Sequence, residues 1–402
     1  MYLLSQFDIL IPEMLCVGTP KEREAAHVKN VTLLIKPASS LCNLRCRYCF
    51  YADVSDNRAV KSMGVMFHET AGKLIEAAFA AADSHGTIGF AFQGGEPTMA
   101  GLDFFRDFTA MVSARRPLDR QVSYSLQTNG MVLDEEWAHF LKENNFLVGI
   151  SVDGYRELHD YYRVDPQGKG TYGRAAKSLA LLQKYGVETN LLCVVTGQCA
   201  KHPQKAYASL KKLGVRYLQF IPCLDPLEAG RGHAAYSLTP KLYGDFLCGL
   251  FDLWYRDWAE GHYVSVRLFD DYVHLAMGEP PSTCATSGGC GSYFVVEGDG
   301  SIYPCDFYVL DGWRMGDVHT DSLEKLANAE IASEFLRQGR RRPSRCESCR
   351  WVSLCQGGCR RDWRIGAEET ENYYCESFRR FFEYAAERLN GIARQERRNR
   401  MR

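Results

Sequence analysis

Cys42-Asn-Leu-Arg-Cys46-Arg-Tyr-Cys49 places three thiols at C-x3-C-x2-C spacing directly after the apolar run of residues 31–36. Three thiolates can hold three irons of a cubane cluster and leave the fourth iron open. Electron-transfer clusters normally take four cysteine ligands, so a compact trio with no near fourth cysteine predicts an iron that binds substrate or cofactor. The competing reading is an incomplete zinc site in a cysteine-rich chain. A second set follows in the C-terminal third: Cys284, Cys290, Cys305, Cys346, Cys349, Cys355, Cys359 and Cys375. Eight thiols suffice for two fully ligated cubanes. Taken alone, Cys346-x2-Cys349-x5-Cys355-x3-Cys359 fits zinc equally well, because paired thiolates at short spacing are the usual zinc signature. The trio breaks the tie, since further clusters could carry electrons to or from the first site, whereas zinc would be idle beside it. Cys16, Cys193, Cys199, Cys223 and Cys248 have no ligand-like grouping and read as ordinary thiols.

Positioning such a trio requires a scaffold. Short apolar runs at residues 31–36, 88–92, 122–127, 147–152, 189–195 and 216–221 alternate with helical spacing at 69–82, 102–113, 135–144, 172–184 and 203–213. Alternating βα units imply a parallel sheet with helices outside it, and six units predict an α/β fold, a partial (β/α)6 TIM-like barrel. In such folds the chemistry gathers at the C-terminal strand ends. The distinctive residues sit there: Gln93-Gly-Gly-Glu96-Pro97, Thr128-Asn129-Gly130, Ser151-Val-Asp153-Gly154 and Cys223-Leu224-Asp225-Pro226. A helix at 243–260 closes this unit, and from about Ser282 the chain turns to short strands, glycines and cysteines. A last helix at 376–389 is expected to pack back. The division is a 1–30 N-terminal extension, a 31–260 barrel, and a 261–402 unit carrying the second cysteine set and the last helix.

Length and charge agree with one large catalytic unit and an appendage. The chain has 402 residues and a formal net charge of −1, which gives no global argument for nucleic acid or a membrane surface. The basic stretch 394–402 reads as a solvated helix end. Sixteen cysteines in a chain of this size, without a basic-then-apolar leader, favour metal-bound thiolates in a reducing cytoplasm over disulfides. Oxygen sensitivity, and so an anaerobic or oxygen-protected setting, is the corollary.

These residues resemble the radical S-adenosylmethionine (SAM) enzymes, whose marker is C-x3-C-x2-C with an aromatic, here Tyr48, before the last cysteine. Gly94-Gly-Glu96-Pro97 is the second hallmark, and the C-terminal cysteine spacing resembles the SPASM extension. Within that superfamily, Lys36-Pro-Ala-Ser-Ser40, Cys49-Phe-Tyr51, the stretch around Gln93, Ser125-Leu-Gln-Thr-Asn-Gly130 and Tyr303-Pro-Cys-Asp-Phe-Tyr-Val-Leu310 are similar to anaerobic sulfatase-maturating enzymes. The resemblance implies a radical SAM barrel with a C-terminal SPASM domain, SAM, and three [4Fe-4S] clusters. It implies that Cys42, Cys46 and Cys49 hold the cluster that chelates SAM, and that Tyr48, Gly95, Glu96, Ser151, Arg163 and Leu224 contact it. It assigns Cys284, Cys290, Cys305 and Cys359 to one auxiliary cluster, and Cys346, Cys349, Cys355 and Cys375 to the other.

The reaction implied is oxidation of a cysteine or serine in a nascent or unfolded sulfatase, within C/S-x-P/A-x-R, to Cα-formylglycine. A reducing donor such as flavodoxin or ferredoxin would supply electrons, with neither nucleic acid nor membrane as partner. Two-electron oxidation also removes a thiol or hydroxyl proton, so a base must stand beside the substrate. Asp306, directly after Cys305, is the candidate, against the plainer role of capping a turn. Tyr51 and Gln93 flank the site and would bind the peptide. One alternative keeps the chemistry and changes the substrate: a maturase forming thioether or carbon–carbon crosslinks in ribosomal peptides. Only about thirty residues precede the first strand, which is short for the peptide-recognition domain many such enzymes carry. A non-catalytic electron carrier or redox sensor would have no use for an open-iron trio.

Overall fold

The computed structural model describes residues 30–291, 293–365 and 370–401, so the extension expected over 1–30, Cys16 included, lies almost wholly outside the described residues. All six expected strands form, as β1 (Val31–Ile35), β2 (Thr87–Phe92), β3 (Gln121–Thr128), β4 (Phe146–Ser151), β5 (Glu188–Val195) and β6 (Tyr217–Pro222). They pair in parallel in chain order, with register partners such as Leu33↔Phe90, Ala91↔Ser125, Gly149↔Asn190 and Cys193↔Phe220. The helices His68–Ala81, Leu102–Arg115, Glu135–Glu143, Tyr172–Lys184 and Pro203–Lys211 return the chain between strands.

The alternation of β1 explains its two faces. Val31, Leu33 and Ile35 are buried against the helical layer, while Thr32 and Leu34 between them are only half-buried. Ala91 and Gln93 continue the half-buried pattern in and beyond β2, as do Ser123, Ser125 and Gln127 on β3. The inner face is thus largely small or polar and only partly covered, which leaves room for a ligand. The outer face packs as an aromatic core, with Phe92 4.9 Å from Phe105 and 5.1 Å from Phe108, and Phe146 stacked 4.9 Å from Tyr124.

The sheet does not stop at residue 260. β7 (Ser265–Val266) pairs in parallel with β6 at one edge. At the other, β8 (Phe294–Val296) pairs in parallel with β1, β9 (Ser301–Tyr303) pairs antiparallel with β8, and β10 (Gly316–Asp317) antiparallel with β9. Among the described residues the order is β10-β9-β8-β1-β2-β3-β4-β5-β6-β7, an open barrel with β10 and β7 at its edges. The C-terminal cysteine region is therefore welded to the barrel beside the strand that leads into Cys42.

The helix expected at 243–260 begins earlier, at Pro240, with the Thr239 hydroxyl accepting from the Leu242 amide. Thr-Pro is an N-cap followed by a first-turn proline, a start signal present in the sequence. The last helix runs Cys375–Arg400 and packs back on Pro240–Ala259 and Arg267–Ala276, its Phe381 lying 5.6 Å from both Phe251 and Phe269. The basic end is tied down in part, with Arg400 paired to Glu279 at 2.6 Å. Among the described residues no helix is long and apolar enough to cross a membrane.

Candidate active site

The cysteine trio lies on the loop leaving β1, with Cys49 as N-cap of helix Phe50–Asp56. Backbone contacts clasp this loop to its surroundings: Arg45 N donates to Val164 O at 2.7 Å and Arg47 N to Tyr162 O at 3.0 Å. From the end of β3, Asn129 Nδ2 donates to Asn43 Oδ1 at 2.8 Å and approaches Cys42 Sγ at 3.9 Å. Burial pushes the Cys42 thiol up to about 11 and Cys46 up to about 12. Thiols so placed stay protonated unless a cation supplies the compensating charge, which fits a metal-ligand loop.

Gly95 closes tightly on that loop. Its φ is +52°, and a Cβ there would stand 2.5 Å from the carbonyl oxygens of Ser39 and Leu41. Glu96 N donates to the same Leu41 oxygen at 2.8 Å. The Glu96 side chain, 1% exposed, turns inward. It accepts from Thr98 N at 3.1 Å, Thr98 Oγ1 at 2.6 Å, Thr128 Oγ1 at 2.6 Å and Asn129 N at 2.8 Å. Burial pushes its carboxyl up, against hydrogen bonds that pull it down. Glu96 thus ties the end of β2 to the end of β3.

Tyr48 and Arg163 come together, around an acid that sequence reasoning placed at a strand end but gave no role. Asp153 is fully buried beyond β4. It accepts from the Tyr48 hydroxyl, from Arg163 Nε at 3.0 Å and Nη2 at 3.2 Å, and from Val194 N at 3.0 Å. The Arg163 guanidinium therefore pairs with a carboxylate of this chain. Ser151 Oγ accepts from Gln127 Nε2 at 3.1 Å, and Leu224 is half-buried beyond β6.

His159 completes this cluster. Its Nδ1 accepts from Asp153 N at 3.2 Å, and its Nε2 meets Thr171 Oγ1 at 3.0 Å. Burial lowers its pKa to about 4. Since the unfolded chain binds the proton more readily, this histidine contributes stability that is complete above pH ~6.5 and lost as pH falls toward about 4. The unfolding midpoint of anaerobic protein should drop between pH 6.5 and 5, and drop less steeply in His159→Gln; equal slopes would count against this assignment.

Asp306 opens a turn directly after Cys305 and is 4% exposed. One carboxylate oxygen pairs with Lys36 Nζ, and the other accepts from Gln93 Nε2 at 3.0 Å. The sequence-predicted acid and Gln93 are thus in contact, and Lys36, which sequence reasoning missed as a site residue, joins them. A charge ending an otherwise apolar strand was the available signal. Tyr51 is placed differently: it is buried, and its hydroxyl donates to Glu297 Oε1, which also pairs with Arg58 Nη1 at 2.7 Å. Burial pushes the Glu297 carboxyl up, but Lys36 and Arg58 more than offset it and hold it below the usual range. The turn also meets the trio's helix, with Phe307 5.0 Å from Phe50.

The remaining ligand candidates form two groups. Cys346, Cys349, Cys355 and Cys375 line one cavity of about 430 Å³, with Trp351 and Phe382 in its wall. Cys284 lies within electrostatic reach of Cys290, Cys305 and Cys359, and burial raises the last three thiols. These donor sets suit soft, thiolate-binding groups such as iron–sulfur clusters. Cys193, Cys199 and Cys223 are buried elsewhere, and Cys248 is half-buried.

Residues 37–210 match the radical SAM superfamily, and residues 288–350 match an iron–sulfur cluster-binding domain. The chain is 44% identical over 369 residues, 91% of its length and 98% of the relative's, to the cysteine-type anaerobic sulfatase-maturating enzyme of Clostridium novyi (strain NT). It is 29% identical, over 90% of its length and 91% of the relative's, to the serine-type enzyme of Bacteroides thetaiotaomicron. A solved structure of native anSMEcpe with bound AdoMet and Cp18Cys peptide superposes with a TM-score of 0.86 at 43% identity, covering 91% of this chain and 99% of that one. A cysteine trio on a barrel loop, a close-packed GGEP turn and a welded cysteine-rich unit, together with this likeness along nearly the whole chain, show that the protein belongs to the radical SAM anaerobic sulfatase-maturating enzymes.

Proposed function

We propose that this protein oxidises a cysteine of a sulfatase polypeptide to Cα-formylglycine, with Asp306 taking the thiol proton. The observation that carries the reading is the placement of Asp306: a buried carboxylate with both oxygens engaged, reaching to the ends of β1 and β2 from the turn after Cys305, which packs on the helix that follows Cys49. The higher identity to the cysteine-type relative favours cysteine over serine as target. Three [4Fe-4S] clusters and SAM, when bound, supply a 5′-deoxyadenosyl radical that takes a hydrogen atom from unactivated carbon, and an acceptor for the second electron.

Around those groups the chain's residues hold and orient. Cys42, Cys46 and Cys49 would hold the SAM-binding cluster, Cys284, Cys290, Cys305 and Cys359 one auxiliary cluster, and Cys346, Cys349, Cys355 and Cys375 the other. Tyr48, Gly95, Ser151, Arg163 and Leu224 would shape the SAM pocket, Tyr48 and Arg163 through Asp153. Glu96 would act by fixing the turn. Gln93 would orient Asp306 and the peptide, and the Tyr51 ring would form part of the wall. The substrate loses a hydrogen atom from Cβ, a proton from sulfur and one electron. The resulting thioaldehyde takes up water and releases hydrogen sulfide to leave the aldehyde. We assign residues 31–260 to the barrel and 261–402 to the auxiliary unit, the C/S-x-P/A-x-R segment as target, a flavodoxin or ferredoxin as donor, and the cytoplasm as setting.

The test is anaerobic incubation of reconstituted protein with dithionite, SAM and peptides carrying C-x-P-x-R or S-x-P-x-R, read by mass. Conversion of the cysteine peptide to the aldehyde, with the serine peptide slower, is the expected result. A crosslinked peptide, or 5′-deoxyadenosine without aldehyde from either peptide, would overturn it.

A further inference from the structure

We propose that Lys36 is a positioning residue for the Asp306 carboxylate; the inference rests on the reading of Asp306 as proton acceptor. Lysine almost never buries its ammonium unless it is paired, yet Lys36 is 0% exposed at the end of β1. Its charge is met on more than one side. Nζ pairs with Asp306, lies 3.8 Å from the centre of the Tyr51 ring, and sits close enough to Glu297 to lower that carboxyl. Arg58 grips Glu297 from beyond and donates to Lys61 O at 2.9 Å, anchoring the far end of the chain.

The route of the lysine stem is built into the GGEP turn. Gly94 has φ +108°, and a Cβ there would stand 2.7 Å from Lys36 Cγ and 2.9 Å from Cδ. The turn therefore leaves a slot that the lysine fills. Backbone pairing places the partners: Lys36 N donates to Val296 O at 2.8 Å, in register with the pairing of β8 on β1. With Lys36 on one oxygen and Gln93 on the other, the Asp306 carboxylate has a fixed plane. Losing the lysine would leave Gln93 alone to orient it, and a displacement of about 1 Å at a reacting group can cost roughly a hundredfold. Hydrogen-atom abstraction depends on the radical and a placed substrate and would be affected far less.

The experiment compares reconstituted wild type, Lys36→Met, Lys36→Gln and Asp306→Asn, measuring iron content, peptide KM, and 5′-deoxyadenosine formed per formylglycine. Lys36→Met and Lys36→Gln should keep wild-type iron and a KM within about threefold, while 5′-deoxyadenosine per product rises at least about tenfold. A ratio within about twofold of wild type in both variants would overturn the proposal. So would loss of iron in both, which would make Lys36 a structural residue of the cluster loop. If Asp306→Asn itself keeps the wild-type ratio, the assignment of Asp306 fails and this proposal with it. If Asp306→Asn uncouples and the lysine variants do not, Lys36 alone is misassigned.

Discussion

Replacing Cys42, Cys46 and Cys49 together by alanine should abolish SAM cleavage while leaving about eight of about twelve irons per chain, since each [4Fe-4S] group holds four. The selectivity follows from the placement of the thiols. The trio sits on its own loop after β1, whereas Cys346, Cys349, Cys355 and Cys375 surround a separate cavity framed by the last helix, and Cys284, Cys290, Cys305 and Cys359 gather around the turn after β9. None of the eight is supplied by the altered loop. Iron and acid-labile sulfide analysis of anaerobically reconstituted protein, with 5′-deoxyadenosine by chromatography, reads the result. Zinc in place of iron, or no more than about four irons in the wild-type protein, would overturn the ligand assignment.

Asp306→Asn should separate the halves of the reaction. The amide is close in size and can still face Gln93 and Lys36, but it cannot take a proton at neutral pH. Iron content should stay normal and 5′-deoxyadenosine should still form in the presence of peptide. Formylglycine should fall by at least roughly a hundredfold, the lower range for a positioned general base. Near-wild-type aldehyde formation would make Asp306 structural. Loss of iron would instead report disturbed ligation at neighbouring Cys305, and Asp306→Glu would then serve as the test, because it keeps a carboxylate beside the same ligand.

Much of the fold was legible because its signals are local. Parallel strands buried on one face carry runs of Val, Leu, Ile and Phe between amphipathic helices, and all six expected strands formed, each beginning and ending within one residue of the expected position. Elements without such signals were missed. Helix Arg156–Tyr162 has seven residues and no side-chain cap, and Arg267–Ala276 is likewise uncapped. β8 and β9 fall where short strands were expected from about Ser282, but with three residues each they are too short to show a period of two and were given no bounds.

The candidate site divides the same way. Cysteine spacing, the GGEP turn and the cluster of polar residues at strand ends are written in contiguous residues, so the sequence alone determined the family and singled out the candidate thiol donors and the candidate acid at 306. Partners were decided only by the tertiary structure. Lys36 and Asp306 are 270 residues apart, and Tyr51 and Glu297 are 246 apart. Each pair exists because a three-residue strand of the C-terminal unit joins the edge of the barrel at β1. Arg163, for which the resemblance implies only a contact with SAM, is given Asp153 by the fold. A buried charge must find an opposite charge or hydrogen bonds within a few ångströms. Which group that is depends on how the sheet closes, and no local pattern of residues encodes it.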